Sequence, residues 1–255
     1  MDTLFLMPFL AGLPLAILLP LVGTLLRLRD EWLAALGLAH LAGATGLAGL
    51  AIQIPAVLGA PAGALAGGVL KYGLGARGNS VFALMILAGW AVTLLIAANT
   101  ALGDSLAHAV VDGQLYFAGP GELTAALVTG GLGLAAMPWL TPRLIRARLF
   151  PQHEIANRLP RWRWQLGFDL LAALAVAVGT ATLGLMAAFA LVFLPAWIAF
   201  RAAPGWRTGY WIAAGTGLFG YLLAFAAALH FDQPFGPVLV ATLAVLFAFT
   251  RWFRG

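Results

Sequence analysis

RLIRARLFPQHEIANRLPRWR, residues 143–163, is the longest polar stretch in this 255-residue chain and carries six of its fourteen Lys and Arg residues. Everything around it is oily. Hydrophobic residues make up 62% of the chain and charged residues 9%, with a mean hydropathy of +0.96. A soluble domain holds roughly 25% charged residues. Twenty-one residues are also too few for a catalytic domain. The segment therefore reads as a loop between membrane-spanning helices, and the chain as an all-α, polytopic transmembrane bundle forming a single domain over residues 1–255.

A hydrocarbon core about 30 Å thick requires on the order of 20 apolar residues per helical crossing. Cutting the chain where charge, Gly or Pro interrupts it predicts nine spans: Thr3–Leu28, Trp32–Ile52, Ile54–Gly73, Ser80–Asn99, Pro120–Leu140, Trp164–Gly184, Leu185–Ala203, Arg207–His230 and Phe235–Trp252. With the amino terminus outside, the basic clusters at 27/29, 71/77, 143–163, 201/207 and 251/254 all fall in the cytoplasm, as does the carboxyl terminus. The opposite orientation exports every one of them. Parity also bears on residues 101–118. A full crossing there would export the densest basic cluster, so the segment reads as a short re-entrant or interfacial helix on the outer side. Asp2 and the lack of a basic n-region predict that the first helix is retained rather than cleaved.

The composition removes several chemistries. There is no Cys, hence no disulfide and no thiolate zinc site. The single Lys, Lys71, is followed by Tyr72, so no phosphate-binding loop of the Gly-Lys-Ser/Thr kind is present. The chain is not expected to be an enzyme; ATP, if used, is hydrolysed by another polypeptide. The 31 glycines fall in small-residue runs such as Ala39, Gly43 and Gly46, or Gly63, Gly67 and Gly68, which predict close helix packing rather than chemistry. Pro14, Pro20 and Pro195 lie inside predicted helices, where each frees a carbonyl and favours a kink.

Several short segments, in order, resemble the membrane subunits of the ABC importers for zinc, manganese and iron, and the likeness runs almost end to end. Pro8-Phe9-Leu10, Leu21-Val22-Gly23 and Arg27-Leu28-Arg29 resemble that family's opening helix. Leu36-Gly37-Leu38-Ala39-His40 stands where the family has Asp-Ala-Leu-Ser-His. Asp112-Gly113-Gln114 through Gly121-Glu122-Leu123 is similar to its Phe-Gly segment, and Gly184-Leu185-Met186 with Leu191 to Ala196 and Arg201 to its Gly-Val-Leu-Leu and Pro-Ala-Ala run. Asp232 to Pro237 resembles its Asp-Leu-Pro-Thr-Gly-Pro turn. The resemblance implies a homodimeric permease of the vitamin B12-importer (type II) architecture, with a cytoplasmic ATPase on each subunit and an extracytoplasmic metal-binding protein as donor. It implies no resident cofactor and no nucleic acid; the other partner is membrane lipid.

Within the basic loop, Pro151 can start a helix, Glu154, Ile155 and Arg158 follow at helical spacing, and Pro160 can stop it. A short amphipathic helix of this kind suits a groove on an ATPase, and by resemblance it is the coupling helix. The other reading is a basic loop held by anionic lipid. Candidate metal ligands are His40, in the second span, and Asp104, His108 and Asp112, which recur every four residues and so form one stripe on a helix. Ionisable groups in an apolar setting are functional candidates, and imidazole with carboxylate suits divalent transition metals. Two bland readings stand beside these: an interfacial helix with its charges in water, and a His40 that only bonds a neighbouring carbonyl. By resemblance His40 would pair with an Asp one turn earlier, where this chain has Leu36. Asp169 is expected to pair with a cytoplasmic Arg. The expected function is inward transport of a divalent metal ion; the alternatives are the same architecture carrying a metal chelate or small organic solute, an ion-coupled secondary transporter, or a membrane scaffold.

Overall fold

The structure, a computed structural model, describes residues 5–73, 79–100, 115–157, 159 and 161–252. Among the described residues every regular element is helical. In chain order these are α1 (Leu6–Leu28), α2 (Ala34–Ala51), α3 (Ala56–Gly73), α4 (Ser80–Asn99), a 3-10 turn (Leu115–Phe117), α5 (Pro120–Leu149), α6 (Pro151–Ala156), α7 (Arg161–Leu183), α8 (Leu185–Ala202), α9 (Trp206–His230) and α10 (Phe235–Trp252). Seven of them, α1, α2, α4, α5, α7, α8 and α9, are long and apolar enough to cross a membrane. Helix α3 is diluted by five glycines, Pro61 and Lys71; α10 is apolar over Phe235–Thr250.

Helix α1 forms the centre. Leu15, Ala16, Leu18, Leu19, Val22 and Leu25 have no exposed surface, and the helix packs against α5, α7, α8 and α9. Apolar side chains gain no hydrophobic free energy by leaving lipid for protein, so close backbone approach has to hold such helices together. Gly23 shows how: a Cβ there would strike the Val192 carbonyl of α8. Gly63 and Gly67 do the same between α3 and α2, against Leu41 and Thr45, whereas Gly215 has nothing within 4 Å and only thins the outer face of α9. Pro14 and Pro20 lie inside α1 and Pro195 inside α8, as expected from sequence.

Helix directions alternate. Gly37 and Gly89 place α4 parallel to α2, against Phe82 and His40 respectively. Lys71 at the end of α3 returns to the start of that pair, where Asn79 Oδ1 accepts a hydrogen bond from the Leu33 amide. Tyr210 shares a cavity with Leu21, and Tyr221 donates to the Phe9 carbonyl (2.9 Å), so α9 runs antiparallel to α1. One end of the bundle therefore collects the last turns of α1, α3, α5 and α8 and the first turns of α7 and α9, and with them Arg27, Arg29, Lys71, Arg143, Arg146, Arg148, Arg163, Arg201 and Arg207. The 3-10 turn lies at the opposite end, with Tyr116 edge-on to Phe5 (6.0 Å). Asn99 lies there too, so the chain leaves α4 and reaches the 3-10 turn at the same end, which the parity argument requires.

One boundary differs from expectation. The fifth helix continues from Leu140 to Leu149, through Pro142 and three arginines. At about 1.5 Å per residue its 30 residues measure roughly 45 Å, so the last turns project beyond a slab about 30 Å thick and carry their charge outside it. Arg143 anchors the projection: its guanidinium lies 4.3 Å from the Trp139 ring and 4.6 Å from Trp164, and Nη1 donates to the Trp139 carbonyl at 2.6 Å. Charge density ended the predicted span; it does not end the helix.

Candidate functional site

His40 sits on α2, half-buried, against the Gly89 backbone of α4 and with its ring 5.8 Å from that of Trp90. Its Nδ1 is 2.8 Å from the Leu36 carbonyl oxygen. A carbonyl can only accept, so Nδ1 carries the proton and, in the neutral ring, Nε2 keeps its lone pair. The carbonyl contact anticipated as the bland reading is present and occupies one nitrogen. It also fixes the tautomer that leaves the other free to coordinate, the usual second-sphere arrangement of a metal-binding imidazole. Leu36 thus contributes through its backbone at a position where the resembled family has a carboxylate side chain.

Asp104, His108 and Asp112 lie outside the described residues, as does Arg158. Among the described residues no three His, Asp or Glu side chains come together as a metal-binding group. The expected helix around Glu154 and Ile155 is present as α6, Pro151–Ala156, with Pro151 as its first residue. It follows the projecting end of α5 directly, and so stands off the basic end of the bundle.

The densest electrostatic feature is one the sequence reading did not assemble. Arg29, Glu31, Lys71 and Asp169 form a closed ring of alternating charge: Arg29 to Glu31 at 3.0 Å, Glu31 to Lys71 at 2.8 Å, Lys71 to Asp169 at 3.1 Å and Asp169 to Arg29 at 2.8 Å. All four side chains are 8–14% exposed. The 2.8 Å approach of Arg29 Nη1 is off-line, leaving that atom without a directed hydrogen bond; the bond proper runs from Nη2 to Asp169 Oδ2 at 3.3 Å. Arg29 also lies 5.2 Å from the Phe168 ring and Lys71 5.4 Å from Phe82.

Local backbone presents Glu31 to the ring. Helix α1 ends in a left-handed residue, Asp30 (φ 61°), with the Asp30 amide donating to the Arg27 carbonyl and the Glu31 amide to Leu26. This is a Schellman turn, in which short polar Asp tolerates the conformation that glycine normally takes. The turn folds Glu31 back beside Arg29. Asp169, two turns into α7, meets Arg29 as expected, and Lys71 as well. The sequence signal was an acidic residue inside one apolar span and the chain's lone Lys at the basic end of another. With two positive and two negative members the ring is neutral, and it ties α1, α3 and α7 at the basic end.

At the other end, Glu122 Oε2 accepts from the Gly119 amide at 2.9 Å and closes the first turn of α5. Burial, and secondarily the Asp232 carboxylate, raise the Tyr116 phenol above its usual value.

Comparison with known proteins places this architecture. No curated protein sequence matches the chain. Among solved structures it is similar to PsaBC from Streptococcus pneumoniae in complex with Fab, at 14% identity and a TM-score of 0.82 over 95% of this chain and 89% of that one. It is also similar to an inward-facing conformation of a transporter assigned to the metal-chelate ABC type, at 14% identity and a TM-score of 0.73 over 96% and 85%. The family model of the ABC 3 transport family matches residues 1–254, so the chain belongs to that family, as a permease subunit of an ABC transporter.

Proposed function

We propose that this chain is the membrane-spanning subunit of an ATP-driven importer for a divalent metal ion, zinc, manganese or iron. The observation that carries the reading is the family match over residues 1–254, on a helical fold shared with an ABC transporter of metal-chelate type. In this reading two copies form a type II permease of nine spans each, with the amino terminus outside and the carboxyl terminus in the cytoplasm. Support for the orientation comes from the basic end: Lys and Arg are retained on the cytoplasmic side of membrane proteins, and the described ones gather at one end. A separate ATPase grips the cytoplasmic loop that holds α6, through Glu154, Ile155 and Arg158. An extracytoplasmic metal-binding protein docks at the opposite end.

His40 contacts the ion through Nε2, and Asp104, His108 and Asp112 line its route nearer the outer mouth. Since Leu36 offers no side-chain ligand, the partners of His40 on the ion come from outside α2. The test is reconstitution of the chain with its ATPase in vesicles, following labelled zinc and manganese with and without ATP. ATP-dependent accumulation of the free ion, lost in His40→Ala and in Asp104→Asn with His108→Gln, is the expected result. Accumulation of a metal only as its chelate transfers the reading to a chelate importer, and uptake driven by an ion gradient without ATPase overturns it.

A further inference from the structure

Helices α5 and α9 both lean on α1, and between them runs a cavity of about 970 Å3 with α1 as its floor. That volume is at the upper end of the roughly 300–1,000 Å3 typical of small-molecule sites. Its wall is graded. Ile17, Leu134 and Met137 make the deep part, and Thr141 and Tyr210 follow; Arg146 and Arg207 line it at the basic end of the bundle. From Leu134 to Arg146 the cavity follows α5 for about 18 Å at 1.5 Å per residue, crossing from the hydrocarbon core to the projecting turns where a headgroup would sit.

The outer faces of both walls are lipid-compatible: Val128 and Leu132 on α5 and Trp211 and Phe219 on α9 are more than half exposed. Trp206, Tyr210 and Trp211 supply the amphipathic aromatics that settle at a headgroup boundary. The two arginines are also distinct from most of their neighbours. Arg29 and Lys71 are spent in the ion ring, Arg27 lies over Trp197 and Phe200, Arg143 over Trp139 and Trp164, and Arg201 over Phe247. Among the described residues neither Arg146 nor Arg207 has an ion pair or a ring partner, yet both line the mouth of one apolar cavity.

We propose that this cavity is a binding site for an anionic diacyl phospholipid, its acyl chain along the α1 floor and its phosphate between Arg146 and Arg207. An apolar cleft about 18 Å long, flanked by aromatics and lined at its wet end by two unpaired guanidinium groups, has the charge and the length of such a lipid and of nothing compact. Each basic residue near an anionic surface contributes enough that a pair favours anionic over zwitterionic lipid roughly 30-fold. The site is independent of which solute the permease carries.

The test uses the permease–ATPase complex purified through nanodiscs of equimolar phosphatidylglycerol and phosphatidylcholine, with lipid retained after detergent exchange read by native mass spectrometry. The wild type is expected to retain phosphatidylglycerol strongly over phosphatidylcholine. Arg146→Gln with Arg207→Gln removes the selectivity, while Arg146→Lys with Arg207→Lys preserves most of it. Ala214→Phe, which fills the tail of the cavity and leaves both charges, lowers retention of both lipids; a free-phosphate site would be untouched by that change, and millimolar inorganic phosphate does not displace the lipid. Equal retention of the two lipids by the wild type overturns the proposal. So does selectivity that survives the glutamine pair, or loss of ATPase association as the only effect of that pair. If the glutamine pair fails to fold, Ala214→Phe alone decides, since unchanged retention there also overturns it.

Discussion

Asp169→Leu is the perturbation that most directly tests what the buried ring does. The substitution removes the carboxylate in favour of a somewhat larger apolar group and leaves Arg29 and Lys71 sharing Glu31 alone, one positive charge in excess where the four side chains are 8–14% exposed. Removing one partner of a buried ion pair costs about 3–5 kcal/mol, chiefly because the survivor remains desolvated and uncompensated. For a chain of this length 1 kcal/mol moves a melting midpoint about 2–4 °C, so the variant should melt about 6–20 °C lower. Adding Lys71→Met restores neutrality and keeps the 3.0 Å Arg29–Glu31 pair. The double variant should recover to within about 1 kcal/mol of wild type, because replacing a whole buried pair by apolar groups is close to neutral. The assay is intrinsic Trp fluorescence against temperature in one fixed detergent, with size-exclusion recovery as a second readout. A single variant that melts within 2 °C of wild type, or a double variant no better than the single, refutes the idea that the ring acts through charge balance.

Three further outcomes follow from the geometry. Gly23→Ala puts a methyl group against the Val192 carbonyl and should sharply lower the yield of folded protein, while Gly215→Ala, with nothing within 4 Å, should leave yield unchanged; fluorescence-detected size exclusion reads both. Ile155→Ala with Arg158→Ala should leave membrane insertion intact and break the link between ATP hydrolysis and uptake, so normal uptake with normal ATPase association would remove α6 from the coupling role. His40→Ala should reduce uptake at least about tenfold, equivalent to about 1.4 kcal/mol of lost transition-state or site stabilisation, with expression unchanged; wild-type uptake would return His40 to a packing role beside Gly89 and Trp90.

The helices were legible because the bilayer leaves the sequence few choices: charge, Gly and Pro mark where about 20 apolar residues stop, and Ser80–Asn99 appears with the same bounds in sequence and structure. The end of α5 lies beyond the end of its span for a related reason. Hydropathy reports what sits in lipid, and a helix whose backbone bonds are satisfied internally continues past the slab regardless. The glycine runs were read correctly as packing devices in general, but only the fold separates Gly63, wedged against Leu41 and Thr45, from Gly215, which faces open space.

What sequence alone could not assemble is the ring, and the reason is physical. Asp169 is 140 positions from Arg29 and 98 from Lys71, so no local period links them, and each read singly has an adequate explanation as an interfacial charge. Arg29 and Lys71 were assigned to the cytoplasmic excess of basic residues. That assignment counts charges at an end and says nothing of whether they face water. Depth supplied the missing constraint. Lys71 is in the last turn of α3 and Asp169 is two turns inside α7; the two helices pack directly and both groups are buried, and a buried ionised group without a partner is too costly to persist. Two opposite charges buried where these helices pack therefore meet. The Schellman turn at Asp30 then makes the ring closed rather than linear, because it swings Glu31 back under Arg29 and completes neutrality. The same reasoning marks Arg146 and Arg207 as different: Arg29 and Lys71 are matched inside the protein, while these two are exposed at the mouth of an apolar cleft, where a ligand with both a charge and a tail can meet them.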